Sequence, residues 1–311
     1  MTVDAFALHY DEQYGMYHRS ADAILSHPRF PDARAAYLRA ILDLYGEDRF
    51  LNKLLLEAAR QIVSGGLICL LAAWDEADRA TWPTLANLKR LLRPFRQSSD
   101  RRIEQLVLRL VSVGFLEQRT SDRDARVRLL IPTGMMLAHD QDWLMAHYRP
   151  LALLYPDDDH ALPLRRDQAF QLGQRRVSFG FIPRSSVVLL SNAPILLFAR
   201  RDAGFLVLAQ IITDQLAERP TSFDALSRRF AISRTHVRQL LRDAEGLGLL
   251  RVSGRGGQRI TLLAPMWAAL DRFVADGMSG HDLTGRLAAR AANNAAPGMN
   301  SPQAMPVVTR V

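Results

Sequence analysis

The chain contains itself twice, and no other feature restricts its folding so strongly. From Gly66 it reads GLICLLAAWDEADRATWPTLANLKRLLRPFRQSSDRRIEQLVLRLVSVGFLEQRTSDRDARVRLLIPTG, and from Gly204 it reads GFLVLAQIITDQLAERPTSFDALSRRFAISRTHVRQLLRDAEGLGLLRVSGRGGQRITLLAP. Setting Ser99 on Ser233 gives an offset of 134 that holds without a gap through the next helix and turn. Ile103 meets Val237, Gln105 meets Gln239, Leu106 meets Leu240, Leu110 meets Ala244 and Gly114 meets Gly248, followed by Phe115-Leu116 and Leu249-Leu250. Matching glycines, a matching apolar i, i+3, i+4, i+7 set and a matching strand mark an internal duplication. A length of 311 residues agrees with two units of ordinary domain size.

Each copy predicts three helices and two strands. The first helix is Leu67–Ala77, answered by Phe205–Ala217, and the second is Thr84–Leu92, answered by Ser222–Phe230. Pro83 and Pro220 stand where a helix is entered, and Thr84 and Ser222 have N-capping chemistry. Ser99 and Ser233 cap a third helix, which stops near Gly114 or Gly248, where a left-handed residue closes a helix at least cost. Strands follow at Phe115–Arg119 with Arg126–Ile131, and at Leu249–Ser253 with Gln258–Leu263, turning through SDRDA and GRGG. Two helices joined by a turn and followed by a β-hairpin describe a winged helix-turn-helix. The expected fold is mainly α with small β-hairpin wings: tandem winged helix-turn-helix domains joined by helices.

Around the copies the pattern divides the chain into 1–48, an N-terminal helical extension; 49–150, the first winged helix; 151–200, a linker with interdomain helices; 201–280, the second winged helix; and 281–311, a disordered tail. Helices are expected from Pro31 to Leu44, from Phe50 to Ile62 with Gly65-Gly66 as a stop, from Met135 to Tyr148 and from Arg165 to Arg176. YPDDDH at Tyr155–His160 reads as a linker, and the residues from Ala291 have no periodic apolar face.

Charge gives the outer faces their meaning. The net charge is +8, and 38 of the 40 basic residues are arginine, with only Lys53 and Lys89 as lysines. Arginine's planar fork binds two acceptors of a phosphate or guanine at once. A GC-rich genome produces the same bias, but not the placement of the arginines. Burying Ile103, Leu106, Val107 and Leu110 leaves Ser98, Ser99, Asp100, Arg101, Arg102, Gln105 and Arg109 outside in the first copy. Burying Val237, Leu240, Leu241 and Ala244 leaves Ser233, Arg234, Thr235, His236, Arg238, Gln239 and Arg242 outside in the second. A helix in the major groove reads guanine with Arg and adenine with Gln, and its first amides hold a phosphate. Asp100 and Glu104 weaken that reading in the first copy, so the second reads as the stronger binder. The hairpins add Arg119, Arg123, Arg126 and Arg128 in one copy and Arg251, Arg255 and Arg259 in the other. An arginine at a hairpin tip suits a narrow minor groove, and the others suit phosphates. Alternation turns Val127 and Leu129 inward, and the glycines of the second hairpin let it approach a backbone closely.

The run Asp122-Arg123-Asp124-Ala125-Arg126, followed by a strand and Ile131-Pro132-Thr133-Gly134, resembles the wing of MarR-type (multiple antibiotic resistance regulator) proteins. The resemblance covers about residues 50–150 and implies that Arg123 reaches the minor groove while an aspartate braces a wing arginine. It also implies a dimer built from terminal helices, and a small-molecule effector bound beside them. The second copy has SGRGGQR instead and supports only a generic winged helix. MarR-type proteins carry one wing per chain, so here the dimer is either internal to the chain or formed by pairing two chains.

Catalytic motifs are absent: there is no P-loop, G-x-S-x-G, H-E-x-x-H or paired Cys-x-x-Cys. No cofactor and no metal is expected; Asp157–His160 reads more simply as a solvated acidic linker than as an ion site. Cys69, in an apolar helix without basic neighbours, reads as a buried thiol rather than a MarR-like oxidant sensor. No apolar run reaches membrane-spanning length, Ser185–Phe198 being broken by Ser191, Asn192 and Pro194. The opening MTVDAFALHYDEQYG has acids where a signal peptide has bases. The expectation is a cytoplasmic protein of the bacterial nucleoid, a sequence-specific regulator of transcription that binds double-stranded DNA. Its further partners would be a second copy of itself and an effector. Two rivals are a plasmid-type replication initiator with tandem winged helices and a tandem winged-helix adaptor that binds protein.

Overall fold

The computed structural model describes residues 4, 6–45, 58–95, 99–254 and 257–295. Their elements run β1 (His9–Asp11), β2 (Met16–His18), α1 (Ala21–Ser26), α2 (Phe30–Tyr45), α3 (Ala58–Ala73), α4 (Leu85–Leu92), a 3-10 turn (Arg93–Phe95) and α5 (Asp100–Ser112). After these come β3 (Leu116–Thr120), β4 (Arg128–Pro132), α6 (Gly134–Leu154), α7 (Ala161–Leu164), α8 (Gln168–Ser191) and α9 (Ala193–Ala199). The chain continues through α10 (Gly204–Leu216), α11 (Phe223–Phe230), α12 (Arg234–Gly246), β5 (Leu250–Ser253), β6 (Arg259–Leu262) and α13 (Ala264–Ala295). The protein is mainly helical, with two-stranded antiparallel hairpins pairing β1 with β2, β3 with β4 and β5 with β6.

The duplication repeats down to single hydrogen bonds. Thr84 and Ser222 accept the Asn87 and Ala225 amides at 3.2 and 3.1 Å, capping α4 and α11. Gly114 and Gly248 close α5 and α12 with φ of +78° and +68°, a region in which a Cβ is strained. The next amides, Phe115 and Leu249, each donate to a carbonyl five residues back, Leu110 and Ala244, at 3.0 Å. Where each hairpin ends, Thr133 donates to the Phe115 carbonyl and Leu263 to that of Leu249, again at 3.0 Å.

The halves are joined because their first helices bury apolar residues around most of their circumference. In α3, Val63, Leu67, Ile68, Cys69, Leu70 and Ala72 are buried; in α10, Leu206, Val207, Leu208, Ala209, Ile211 and Ile212 are. A helix that is apolar all round needs neighbours on all sides, and two helices and a hairpin cover only part of it. The rest is supplied crosswise: α8 packs on α3, and α2 packs on α10. Each covering helix also packs against the last helix of its own half, α2 on α6 and α8 on α13, and α6 meets α13. One buried apolar cluster therefore runs through both halves. The repeated unit is larger than the sequence suggests: covering helix, three helices, hairpin and closing helix.

A polar cluster lies inside this crosswise packing. Asp140 of α6 accepts Arg175 of α8 through Nη2 at 2.6 Å and Nε at 3.0 Å, and Gln171 Nε2 at 2.8 Å. The Arg175 guanidinium lies 5.0 Å from the Trp143 ring centre. Gln174 donates to Thr284 Oγ1 at 2.9 Å, and Tyr148 donates to the His281 carbonyl at 2.8 Å. The rings of His147 and His281 approach to 4.4 Å between centroids. Burial pushes His147 down to about 4 and His281 well below its ordinary value, so both are neutral in the folded protein.

Several expectations are corrected. Gly65 and Gly66 do not stop a helix but lie inside α3, where a Cβ on Gly66 would fall 3.0 Å from Leu92 Cδ2 and 3.3 Å from Leu88 Cδ1. The glycine serves close packing of α4, not termination. The N-terminal extension is not wholly helical, since β1 and β2 precede α1. The helix expected at Arg165–Arg176 runs to Ser191, and α8 is a packing element that covers α3 of the other half rather than a linker. Residues 281–295, expected to be disordered, complete α13, anchored by Arg286 on Asp158 at 2.7 Å and by Arg290 on the Gly15 carbonyl at 2.8 Å. Residues 50–57 of the helix expected at Phe50–Ile62, and the tail beyond 295, lie outside the described residues.

Two outcomes follow for stability. Asp140→Ala leaves Arg175 buried without its partner, and about 3–5 kcal/mol of stability is lost, read as a lowered denaturation midpoint. The double variant Asp140→Leu with Arg175→Met recovers most of it. Between pH 6.5 and about 4, the unfolded chain takes up histidine protons that folded His147 refuses. Stability is therefore highest above that window and falls as pH drops through it. His147→Gln flattens that slope in thermal unfolding followed against pH.

Candidate nucleic-acid interface

The third helix of each half is placed by its cap and its inner face. Ser99 Oγ accepts the Arg102 amide at 3.3 Å and Ser233 Oγ accepts the His236 amide at 3.0 Å. Ile103, Val107 and Leu110 anchor α5, and Val237, Leu240, Leu241 and Ala244 anchor α12. Leu106, expected inside, is only half-buried. Outward-facing residues are Arg101, Arg102, Gln105, Leu108 and Arg109 on α5, and Arg234, Thr235, Arg238, Gln239 and Arg242 on α12. An open depression at the start of α5 is lined by Ser99, Arg101, Arg102, Gln105 and Leu106. His236 is half-buried instead, with Nε2 donating to the Asp202 carbonyl at 3.1 Å. Ser98 lies outside the described residues.

The acids near these faces are held in ion pairs and hydrogen bonds, some of them with residues of the faces themselves: Asp224 lies 3.8 Å from Arg234. Lys89 of α4 approaches Glu104 at 2.5 Å and Asp100 at 3.8 Å, and the hydrogen bond to Glu104 raises the ammonium above its ordinary value. The two carboxylates that weakened the first copy are thus drawn back toward α4. In the second copy, Asp243 takes Arg201 at 2.9 Å and Gln239 Nε2 at 2.7 Å, Glu245 accepts the Val252 amide at 2.8 Å, and Asp224 pairs with Arg228. Arginines outnumber carboxylates on both outward faces.

The hairpins stand beside these helices. In the first, Arg119 pairs with Leu129 in register, and Leu129 and Leu130 are buried. Arg119, Arg123, Arg126 and Arg128 are exposed. Arg119 binds Glu117 at 2.8 Å, and Arg128 donates to Thr120. The tip is braced differently from the MarR-type arrangement. Arg123 donates through Nε and Nη2 to Glu76 Oε2 at 3.1 and 2.8 Å, while Asp124 accepts the Arg126 amide and Arg79 Nη2, each at 3.1 Å. Arg123 and Glu76 are both about three-fifths exposed, so exchanging this contact for a phosphate costs little. In the second hairpin, Arg251 and Arg259 are exposed and Arg255 lies outside the described residues. Gly257 has φ of +71°, and a Cβ there would meet the Phe223 ring at 2.2 Å. That glycine lets the hairpin rest on α11 rather than on a partner's backbone.

Sequence reading missed Lys89, Arg79 and Glu76, all of which act across the fold. Lys89 carried one signal: it is one of only two lysines among forty basic residues. Among the described residues no group of three or more His, Cys, Asp or Glu side chains is placed to hold a metal ion. Burial pushes the Cys69 thiol up to about 12, so it does not ionise near neutrality. No single described helix is long and apolar enough to cross a membrane; α8 and α9 meet at a 99° bend, where Asn192 caps α9. No protein-family model, curated protein or solved structure matches the chain.

Proposed function

We propose that the protein is a sequence-specific, double-stranded DNA-binding transcription regulator that uses two winged helices in one chain, the first of MarR type. One observation carries this reading: each half turns outward a third helix on which arginine and glutamine predominate, beside a basic hairpin, and the nearby acids are held in ion pairs and hydrogen bonds. In the proposed mode α5 and α12 enter major grooves, Gln105 and Gln239 read adenine, and Arg101 reads guanine or a phosphate. Arg123 leaves Glu76 for the minor groove, and Arg119, Arg126, Arg128, Arg251 and Arg259 neutralise phosphates.

The crosswise packing of α2 and α8 takes the place of a dimer interface and sets the spacing of the two reading helices. Helices on one face of the duplex lie roughly 34 Å apart. Because the two outward faces differ, a single chain prefers an asymmetric site.

Selection from a random duplex pool, followed by salt titration, tests the reading. The expected result is an asymmetric consensus favoured at least about 10³-fold over a scrambled duplex, with affinity falling steeply with salt. Sequence-blind binding or no binding overturns it, and the latter favours a protein-interaction role. Removing the cation that restrains Asp100 and Glu104, in Lys89→Ala, weakens binding several-fold. Adding Asp100→Asn and Glu104→Gln to that variant restores the affinity. Arg123→Ala lowers both the affinity and the salt slope, the latter by about one unit.

A further inference from the structure

Residues 101, 105, 108 and 112 follow one another at helical spacing and form the midline of the outward face of α5, opposite the buried Ile103, Val107 and Leu110. Three of the four are polar. The fourth, Leu108, is 61% exposed, and its outward neighbours one turn away on α5 are Gln105 and Ser112, with Arg109 beside it. An exposed leucine alone means little. A leucine centred in a polar, positively charged stripe, in line with a glutamine, is a different feature: it is too isolated for an apolar protein interface and too central to leave a docked surface. The second half has Arg242 at the equivalent position, also exposed.

We infer that Leu108 is a specificity-determining residue that reads the 5-methyl group of a thymine in the half-site of the first repeat. The inference rests on the DNA-binding reading above and deepens it. In the major groove only thymine offers an apolar group, its C5 methyl, and aliphatic side chains recognise it by contact. Leu108 lies three residues beyond Gln105, roughly 4.5 Å along the helix axis, against roughly 3.4 Å between stacked base pairs. With Gln105 on an adenine, Leu108 therefore falls over a neighbouring pair. Arg242 has no use for a methyl group and reads guanine through O6 and N7 at the corresponding place. The two half-sites thus differ at a defined position, thymine for α5 and guanine for α12.

The test uses the full chain and the duplex recovered by selection, with each thymine replaced in turn by deoxyuridine, which removes one methyl group and leaves the base pairing unchanged. Wild-type protein is expected to lose roughly fourfold in affinity at one thymine, the worth of one buried methyl group. Leu108→Ala is expected to lose as much on the thymine duplex and to be indifferent to deoxyuridine there. Leu108→Arg moves the preference at that pair toward guanine. Unchanged melting of both variants separates these effects from folding. If a specific duplex is bound but no deoxyuridine position matters, or if the sensitivity persists in Leu108→Ala, the role of Leu108 is overturned and the DNA-binding reading stands. If selection recovers no duplex, both fall together.

Discussion

The structure depends on two helices that cannot be left with an open side. α3 and α10 are buried around most of their circumference, and each fully buried Val, Leu or Ile side chain contributes roughly 1.5–3 kcal/mol relative to exposure. A lone three-helix unit with a hairpin would leave one side of such a helix in water. The cover comes from the opposite half: α8 for α3, and α2 for α10. Neither half is complete without the other, and the chain folds as an exchange of covering helices rather than as two beads on a string.

Apolar burial does not choose a register, and polar groups at the seam supply one. Asp140 and Arg175 expose only 8% and 7% of their side chains. Against well-packed apolar residues, such a buried pair roughly breaks even in stability. Its geometry is restrictive, because a two-pronged guanidinium meets a carboxylate in few relative positions of α6 and α8. Gln171 and Trp143 reinforce that pair between α6 and α8, and Gln174 on Thr284 and Tyr148 on the His281 carbonyl extend the same selection to α13. Arg34 on Asp271, at 2.7 Å, does so for α2. The outer helices α5 and α12 do not touch this polar pair directly; α5 packs on α3 and α4, and α12 on α9 and α11.

What could be read from the sequence follows from the range of the forces involved. Local devices were legible: Thr84, Ser99, Ser222 and Ser233 as caps, Gly114 and Gly248 as left-handed stops, and both hairpins to within two residues. Each of these is written in a few adjacent residues. The covering role of α8 was not, because its buried face includes Gln171, Gln174, Arg175 and Ser186, which no apolar period reveals. Gly66 misled because a glycine that admits Leu88 and Leu92 looks, in sequence, the same as one that ends a helix. In the candidate site, the outward stripe of α5 followed from periodicity. Lys89 gathering Asp100 and Glu104 required knowing that α4 lies beside α5.

Comparing the halves separates two kinds of position. Where they agree, as in the capping serines, the glycine stops and the bonds from Phe115 and Leu249, the residues maintain the fold. On the outward stripe they agree at Gln105 and Gln239 and diverge at Arg101 against Thr235 and Leu108 against Arg242; beside it, Glu104 stands against Arg238. The hairpins diverge as well, in length and in turn. Two identical chains paired by symmetry must present one surface twice. A duplicated chain escapes that constraint, since each half can change its outer face while the shared seam stays intact. Leu108 and Arg242 are the clearest case: they occupy one place on one scaffold with opposite chemistry. Whatever the two faces meet, they meet as unlike surfaces on halves that α2 and α8 pack together.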